Sequence, residues 1–336
     1  MSAVRRRLTF PARVAAALAA VALAAALPSL GGCGGDAGTT TEEPLKVVAT
    51  ASFLADIAQN VAGERFTVDS LVPRDADLHG YEPSSGDVAR VATADMFILN
   101  GGGLEDTLEE TLRSAAPETT FVVAAAGLTP REPQPGEPLH DEEAEAGEAE
   151  AGGAEEPAHA EDPHYWLDPR LVVAYVATIR DAFSAADPAG AAEYEANAAA
   201  YVDQLMALDA WIEDEVADIP AAERLLVMNH VSHGYFADRY GFRIIGAVIP
   251  SASTSESPTA RHIAALTHAI EQESVRAIFV ELGEHRGLAQ QIADETGVTV
   301  VDDLRDHSLS EPGGEAATYI EMMKYDTRRI VNALRP

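Results

Sequence analysis

The chain is poor in sulfur donors, in positive charge and in long apolar runs, and each shortage narrows what it can be. One cysteine, Cys33, occurs in 336 residues, so no intramolecular disulfide can form. Lysine and arginine total 23 against 55 aspartates and glutamates, a formal net charge of -32. A chain so acidic repels phosphates, which excludes nucleic acid as a partner, and it suits cations. The most apolar stretch, from about Val14 to Leu27, is too short for a comfortable membrane span. No GxxxxGK[ST] loop is present to bind a nucleotide. No His-Glu-x-x-His pair is present to build a metallohydrolase, which speaks against an enzyme.

What is present at the N-terminus reads as an address. Arg5, Arg6 and Arg7 precede the apolar run, and Leu30-Gly31-Gly32-Cys33 follows it. Small residues before a single cysteine at this place resemble a bacterial lipobox, so residues 1–33 are read as a lipoprotein signal with lipid attachment at Cys33. Residues 34–44 are small, polar and acidic and read as a flexible tether. The mature protein is then expected outside the cytoplasmic membrane, held by its lipid.

From Leu45 the pattern alternates between short apolar strands and amphipathic helices, the pattern of a parallel α/β sheet. Strands are predicted at 45–51, 66–71, 96–100 and 120–125. Ser52 is positioned to cap the helix that follows the first strand. Residues 131–161 break the pattern: Pro, Gly, Ala and acidic residues with His140 and His159 have no hydrophobic period and too little apolar surface to fold. Helices resume at Asp168, and a long one is predicted from Asp187-Pro188 to about Asp218, about 45 Å at ~1.5 Å per residue. A second set of four strands follows at 224–228, 242–249, 275–280 and 298–301, and residues 316–334 form the last helix. The expected fold class is α/β: two lobes, each a four-stranded, mostly parallel sheet flanked by helices, joined by one long rigid helix. The expected segments are an N-terminal lobe at 45–167, a helical segment at 168–220 and a C-terminal lobe at 221–336.

Four candidate ligand positions fall on comparable features. His79 lies on a loop after the second strand. His164 sits in Asp162-Pro163-His164-Tyr165-Trp166-Leu167-Asp168-Pro169, where prolines and two aromatics hold it stiffly. His230 follows the first strand of the second half, and Asp306 and His307 follow the last strand. Ligands gather at the carboxyl ends of such sheets, so both halves can present these groups to one cleft. Three imidazoles with one further nitrogen or oxygen suit Zn²⁺ and are poor choices for Ca²⁺ or Mg²⁺. His233, three residues beyond His230, is a runner-up. Glu281, Glu284 and His285 read as polar lining of the cleft, and His262 and His268 as surface groups.

Several peptides carry a resemblance to a known family. Asp77-Leu78-His79-Gly80-Tyr81-Glu82-Pro83, the Asp162–Pro169 stretch, the run from His230 to Gly241, and Thr318-Tyr319-Ile320-Glu321-Met322-Met323 together resemble the zinc and manganese solute-binding proteins of ABC importers, the cluster A-I metal receptors. The resemblance covers Leu45 to Leu334. It implies ligands at His79, His164 and His230, and a histidine at the last of these, where manganese members usually carry glutamate, implies zinc. It places the fourth ligand before Ser308-Leu309, where the family usually has aspartate. A strict match puts His307 there and a one-residue slip puts Asp306 there; Asp306 is taken slightly ahead, since a carboxylate partly offsets the metal's charge. The implied function is a zinc receptor that hands Zn²⁺, its cargo, to a cognate membrane permease, expected as a monomer. A manganese receptor of the same family and a metal-stabilised adhesin or partner-binding lipoprotein are the alternatives. The long helix is expected to limit hinge bending, so that capture proceeds through loop ordering.

Overall fold

The computed structural model describes residues 43–134, 137, 162–254, 257–282 and 286–335. The signal segment with Cys33, all of the tether except Glu43 and Pro44, most of the acidic stretch with His140 and His159, and Glu284 and His285 lie outside the described residues.

The first half builds β1 (Val47–Ala49), α1 (Ser52–Ala62), β2 (Val68–Ser70), α2 (Ser85–Ala92), β3 (Met96–Leu99), α3 (Asp106–Ala115) and β4 (Thr120–Val123). The strands pair in parallel in the order β2-β1-β3-β4. The second half builds β5 (Leu225–Met228), α6 (Gly234–Tyr240), β6 (Arg243–Ala247), α7 (Ala260–Glu273), β7 (Ala277–Glu281), α8 (Arg286–Thr296), β8 (Thr299–Leu304) and α9 (Tyr319–Leu334), with parallel order β6-β5-β7-β8. Between them lie α4 (Pro169–Ala186) and α5 (Ala191–Val216). The two halves thus share one topology, with the two-lobed α/β architecture expected from the alternation. The inner strands β3, β5 and β7 are buried throughout because helices cover both faces of each sheet.

Local signals set the element ends. Asp168 caps α4 by accepting from the Arg170 N–H, with Pro169 in the first turn. Ser84 and Asp87 form a reciprocal capping box on α2. Gly241 ends α6 in the left-handed region at φ +71°, which glycine adopts without strain. The expected long helix is divided: a 3-10 turn at Pro188–Gly190 precedes the 26 residues of α5, because the Asp187 side chain turns back to accept from the Gly190 N–H. Ser52 is not the cap of α1 but lies in its first turn. Its hydroxyl accepts from the Leu309 N–H at 2.9 Å, 257 residues away, and so joins the halves.

The main core runs through both halves. It packs α1, α4, α5 and α9 together and encloses Phe53, Trp166, Tyr175, Tyr201 and Tyr319. Smaller clusters sit behind each sheet. Loops leaving the carboxyl ends of β2 and β8 meet over this aromatic floor, tied by the Asp75 N–H to Ser308 Oγ.

Candidate metal centre

Each candidate imidazole is delivered by a chain segment leaving the carboxyl end of a strand or the floor. His79 lies on the loop after β2. That loop is tied to the other half by Arg74, which donates to the Ser310 carbonyl at 2.5 Å, and by the Asp75 N–H, which donates to Ser308 Oγ at 2.7 Å. Asp77 accepts from the His79 N–H at 2.9 Å and from Thr254 Oγ1 at 3.1 Å. A Cβ at Gly80 would sit 2.9 Å from Asp77 Oδ2, so a larger residue there would make that carboxylate shift. His164 stands just before a 3-10 turn at Tyr165–Leu167. His230 is two residues past β5, and His307 three residues past β8.

The structure brings His79, His164, His230 and His307 together, with one ring nitrogen of each within 4.8 Å of the other three. The Nε2 atoms of His164 and His307 are 3.0 Å apart, and those of His79 and His307 3.2 Å. Bonds of about 2.0–2.1 Å from nitrogen to a tetrahedral Zn²⁺ would set neighbouring ligands roughly 3.3 Å apart. All six pairs of rings have centroids between 4.8 and 5.7 Å. His164, His230 and His307 are buried, and His79 is half-buried at the open side. His230 Nε2 is buried without a hydrogen-bond partner. Such an atom is costly to bury unless it is paired, and a bound cation would pair it.

Carboxylates aim two of the rings. Asp162 Oδ1 lies 2.7 Å from His164 Nδ1, and Glu281 Oε2 lies 2.9 Å from His307 Nδ1. A proton on each Nδ1 leaves the Nε2 lone pair pointing inward, the usual carboxylate–histidine arrangement around metals. Burial, then the neighbouring imidazoles, hold His79 and His164 well below the ordinary histidine range, and burial takes His230 down to about 3. These three are neutral donors at pH 7. His307 goes the other way. Burial opposes its charge, but Glu281 and Asp306 together overcome this and raise it.

Asp306 is placed differently from the expectation that favoured it as fourth donor. It does not belong to the four-nitrogen cluster; His307 does. Asp306 is buried, with Oδ2 3.6 Å from His233 Nδ1 and Oδ1 3.5 Å from His307 Nδ1, and it groups with Glu281 and His307. Burial would raise its pKa, yet His307, His233 and His230 hold it well below the usual carboxylate range. His233 is buried beside Ser232 Oγ at 2.9 Å and stands outside the cluster. Glu281, expected only to line the cleft, is the partner of His307. His262 is not a surface group: it is buried, with Nε2 2.8 Å from the Ala247 carbonyl oxygen. Asp162 was missed as a partner for His164, although its place two residues before that histidine was a local signal for it.

The model of the family described as ZnuA, zinc-uptake complex component A, periplasmic, matches residues 47–333. The manganese-binding lipoprotein MntA of Halalkalibacterium halodurans is 33% identical over 305 residues, covering 90% of this chain and 93% of the relative. The iron-binding protein YfeA of Yersinia pestis is 30% identical over 318 residues, covering 94% and 95%. Among solved structures, the periplasmic zinc-binding protein TroA from Treponema pallidum superposes with a TM-score of 0.75 at 25% identity, covering 88% of this chain and all of that one.

Proposed function

The chain belongs to the zinc-uptake complex component A family, a family of transport receptors and not of enzymes, and from that premise we propose that it captures Zn²⁺ between its two lobes and delivers it to the permease of an ABC importer. The observation that carries this reading is the cluster of four imidazoles, His79, His164, His230 and His307. We take these four as the ligands. Zn²⁺ accepts four nitrogens in a tetrahedron, whereas Mn²⁺ is better served by carboxylate, carbonyl and water oxygens. His79 is the one half-buried member of the four, so we take ordering and release of its loop, with its bonds to Ser308, Ser310 and Thr254, as the step that opens and closes the site. The aromatic floor supports this mode over wide hinge opening. Cys33 fits a lipid anchor on the extracytoplasmic face, as in relatives named as lipoproteins.

Manganese is the second reading, and the names of several relatives near 30% identity favour it. The buried carboxylates Asp306 and Glu281 beside His307 are the groups through which a harder ion would bind.

The test is a titration of the chelator-stripped protein, beginning after Cys33, with Zn²⁺ and with Mn²⁺, alongside thermal melts. Tight one-to-one Zn²⁺ binding, weak Mn²⁺ binding and a folded metal-free form are expected. Preference for Mn²⁺ would transfer the proposal to the second reading. Unfolding on chelation would point to a structural metal in an adhesin-like lipoprotein.

A further inference from the structure

We infer that Trp166 is a positioning residue that sets the spacing between the two halves of the metal site; this rests on the reading of His164 and His307 as ligands. Trp166 lies two residues after His164. Its indole Nε1–H donates to the carbonyl oxygen of Asp306, the residue before His307, at 2.6 Å. One side chain therefore bridges the backbone segments of a first-half ligand and a second-half ligand, with two residues of slack on one side and one on the other. An indole has a single hydrogen-bond donor, and this one is spent across the lobes.

The ring is held on several sides. Trp166 is fully buried and stacks on Phe53 of α1 at 4.4 Å with an interplanar angle of 24°. Its own carbonyl accepts from the Tyr319 hydroxyl, at the start of α9, at 2.6 Å. The ring centroid is 5.1 Å from that of His164 and 5.3 Å from that of His307. Anchored to α1 and α9 and bonded to the Asp306 carbonyl, the indole ties together the two segments whose His164 and His307 Nε2 atoms lie 3.0 Å apart. A site set in this way spends less of its binding free energy on ordering its ligands, and the gain appears as slower dissociation. Without the N–H, the buried Asp306 carbonyl loses this donor, and the His307 segment is free to draw back from His164.

The experiment uses the chain from Gly34 onward, which retains the whole compact unit described above. Trp166 is replaced by 3-benzothienylalanine, which keeps the shape of the ring and puts sulfur in place of N–H; Trp166→Phe is made in parallel. Zn²⁺ affinity by chelator competition, Zn²⁺ dissociation by stopped flow, the visible bands of the Co²⁺ form and the metal-free melting temperature are measured. The benzothienyl protein is expected to release Zn²⁺ about tenfold faster, the lower end of effects seen when a ligand's supporting contacts are removed, with the association rate unchanged and the Co²⁺ bands shifted. Zn²⁺ dissociation within twofold of the parent, whatever happens to the melting temperature, would reduce Trp166 to a structural strut and overturn the inference. If the parent itself binds no Zn²⁺, the proposed function falls and this inference with it. If the parent binds and the analogue behaves identically, only the inference falls.

Discussion

Glu281 and His307 form a buried carboxylate–imidazole pair, with Glu281 Oε2 2.9 Å from His307 Nδ1 and Oε1 accepting from the His307 backbone N–H at 3.2 Å. Both atoms of one carboxylate therefore fix one residue, its ring and its backbone together. Glu281→Gln keeps the size of the side chain and removes the charge. It is expected to weaken Zn²⁺ binding by roughly tenfold, since outer partners of ligating histidines are worth about 10–100-fold in affinity. Equal affinities in a chelator competition would show that Glu281 does not support the site.

The fourth donor can be decided by single substitutions. His307→Ala is expected to lower Zn²⁺ affinity by several orders of magnitude, because it removes the nitrogen nearest to both His79 and His164. Asp306→Asn should cost about tenfold or less, as an outer contact. His307→Asp, which restores the oxygen donor usual in the family, should shift preference toward Mn²⁺. Competition titrations with both ions measure all three. If Asp306→Asn abolishes binding while His307→Ala is tolerated, the assignment of His307 is wrong.

This ambiguity shows where sequence reading reached its limit. His79, His164 and His230 were legible because each sits in a local peptide whose prolines, aromatics or strand end announce it. The choice between Asp306 and His307 depends instead on the path of the chain past the end of β8. That path is set by contacts distant in sequence, from Glu281 to the His307 ring and backbone N–H and from Trp166 to the Asp306 carbonyl. Partners distant in sequence were equally hidden. Nothing near Ser52 points to Leu309, nor anything near Trp166 to Asp306, although the strand-helix alternation that produced both sheets was plain.

The protonation of the site gives a pH dependence of definite sign. His79, His164 and His230 have depressed pKa values and are already neutral at pH 7, so they release no protons there. His307 is raised above 6.5 by Glu281 and Asp306 in the metal-free protein, and a metal must displace its Nε2 proton. Zn²⁺ affinity should therefore rise with pH by about tenfold per unit until His307 is neutral, then level off. About one proton should be released per Zn²⁺ bound near neutral pH. An indicator dye in weak buffer measures this directly, and zero proton release would contradict the charged state of His307.

Arg131 supplies a prediction about stability rather than metal. Its side chain is only 5% exposed, lies beyond β4, and grips Glu137 with bonds of 2.9 and 2.7 Å. Its Nε donates to Asp238 of α6 at 2.8 Å, and Nη1 lies 3.8 Å from Asp162 Oδ2, on the carboxylate that supports His164. Gly234 makes room for this cluster, since a Cβ there would come within 2.5 Å of both Arg131 Nη1 and Asp162 Oδ2. Arg131→Met leaves buried carboxylates without their cation, a change that costs about 3–5 kcal/mol. By contrast, breaking the exposed Glu109–Arg113 pair, one turn apart on α3, should cost no more than about 0.5 kcal/mol. Denaturant melts of the metal-free variants should thus separate Arg131→Met from Glu109→Gln, which breaks the exposed pair and leaves Arg113 over Phe121, by several-fold in lost stability, with unchanged slopes. Similar losses for the two would mean that Arg131 does not clip the halves together.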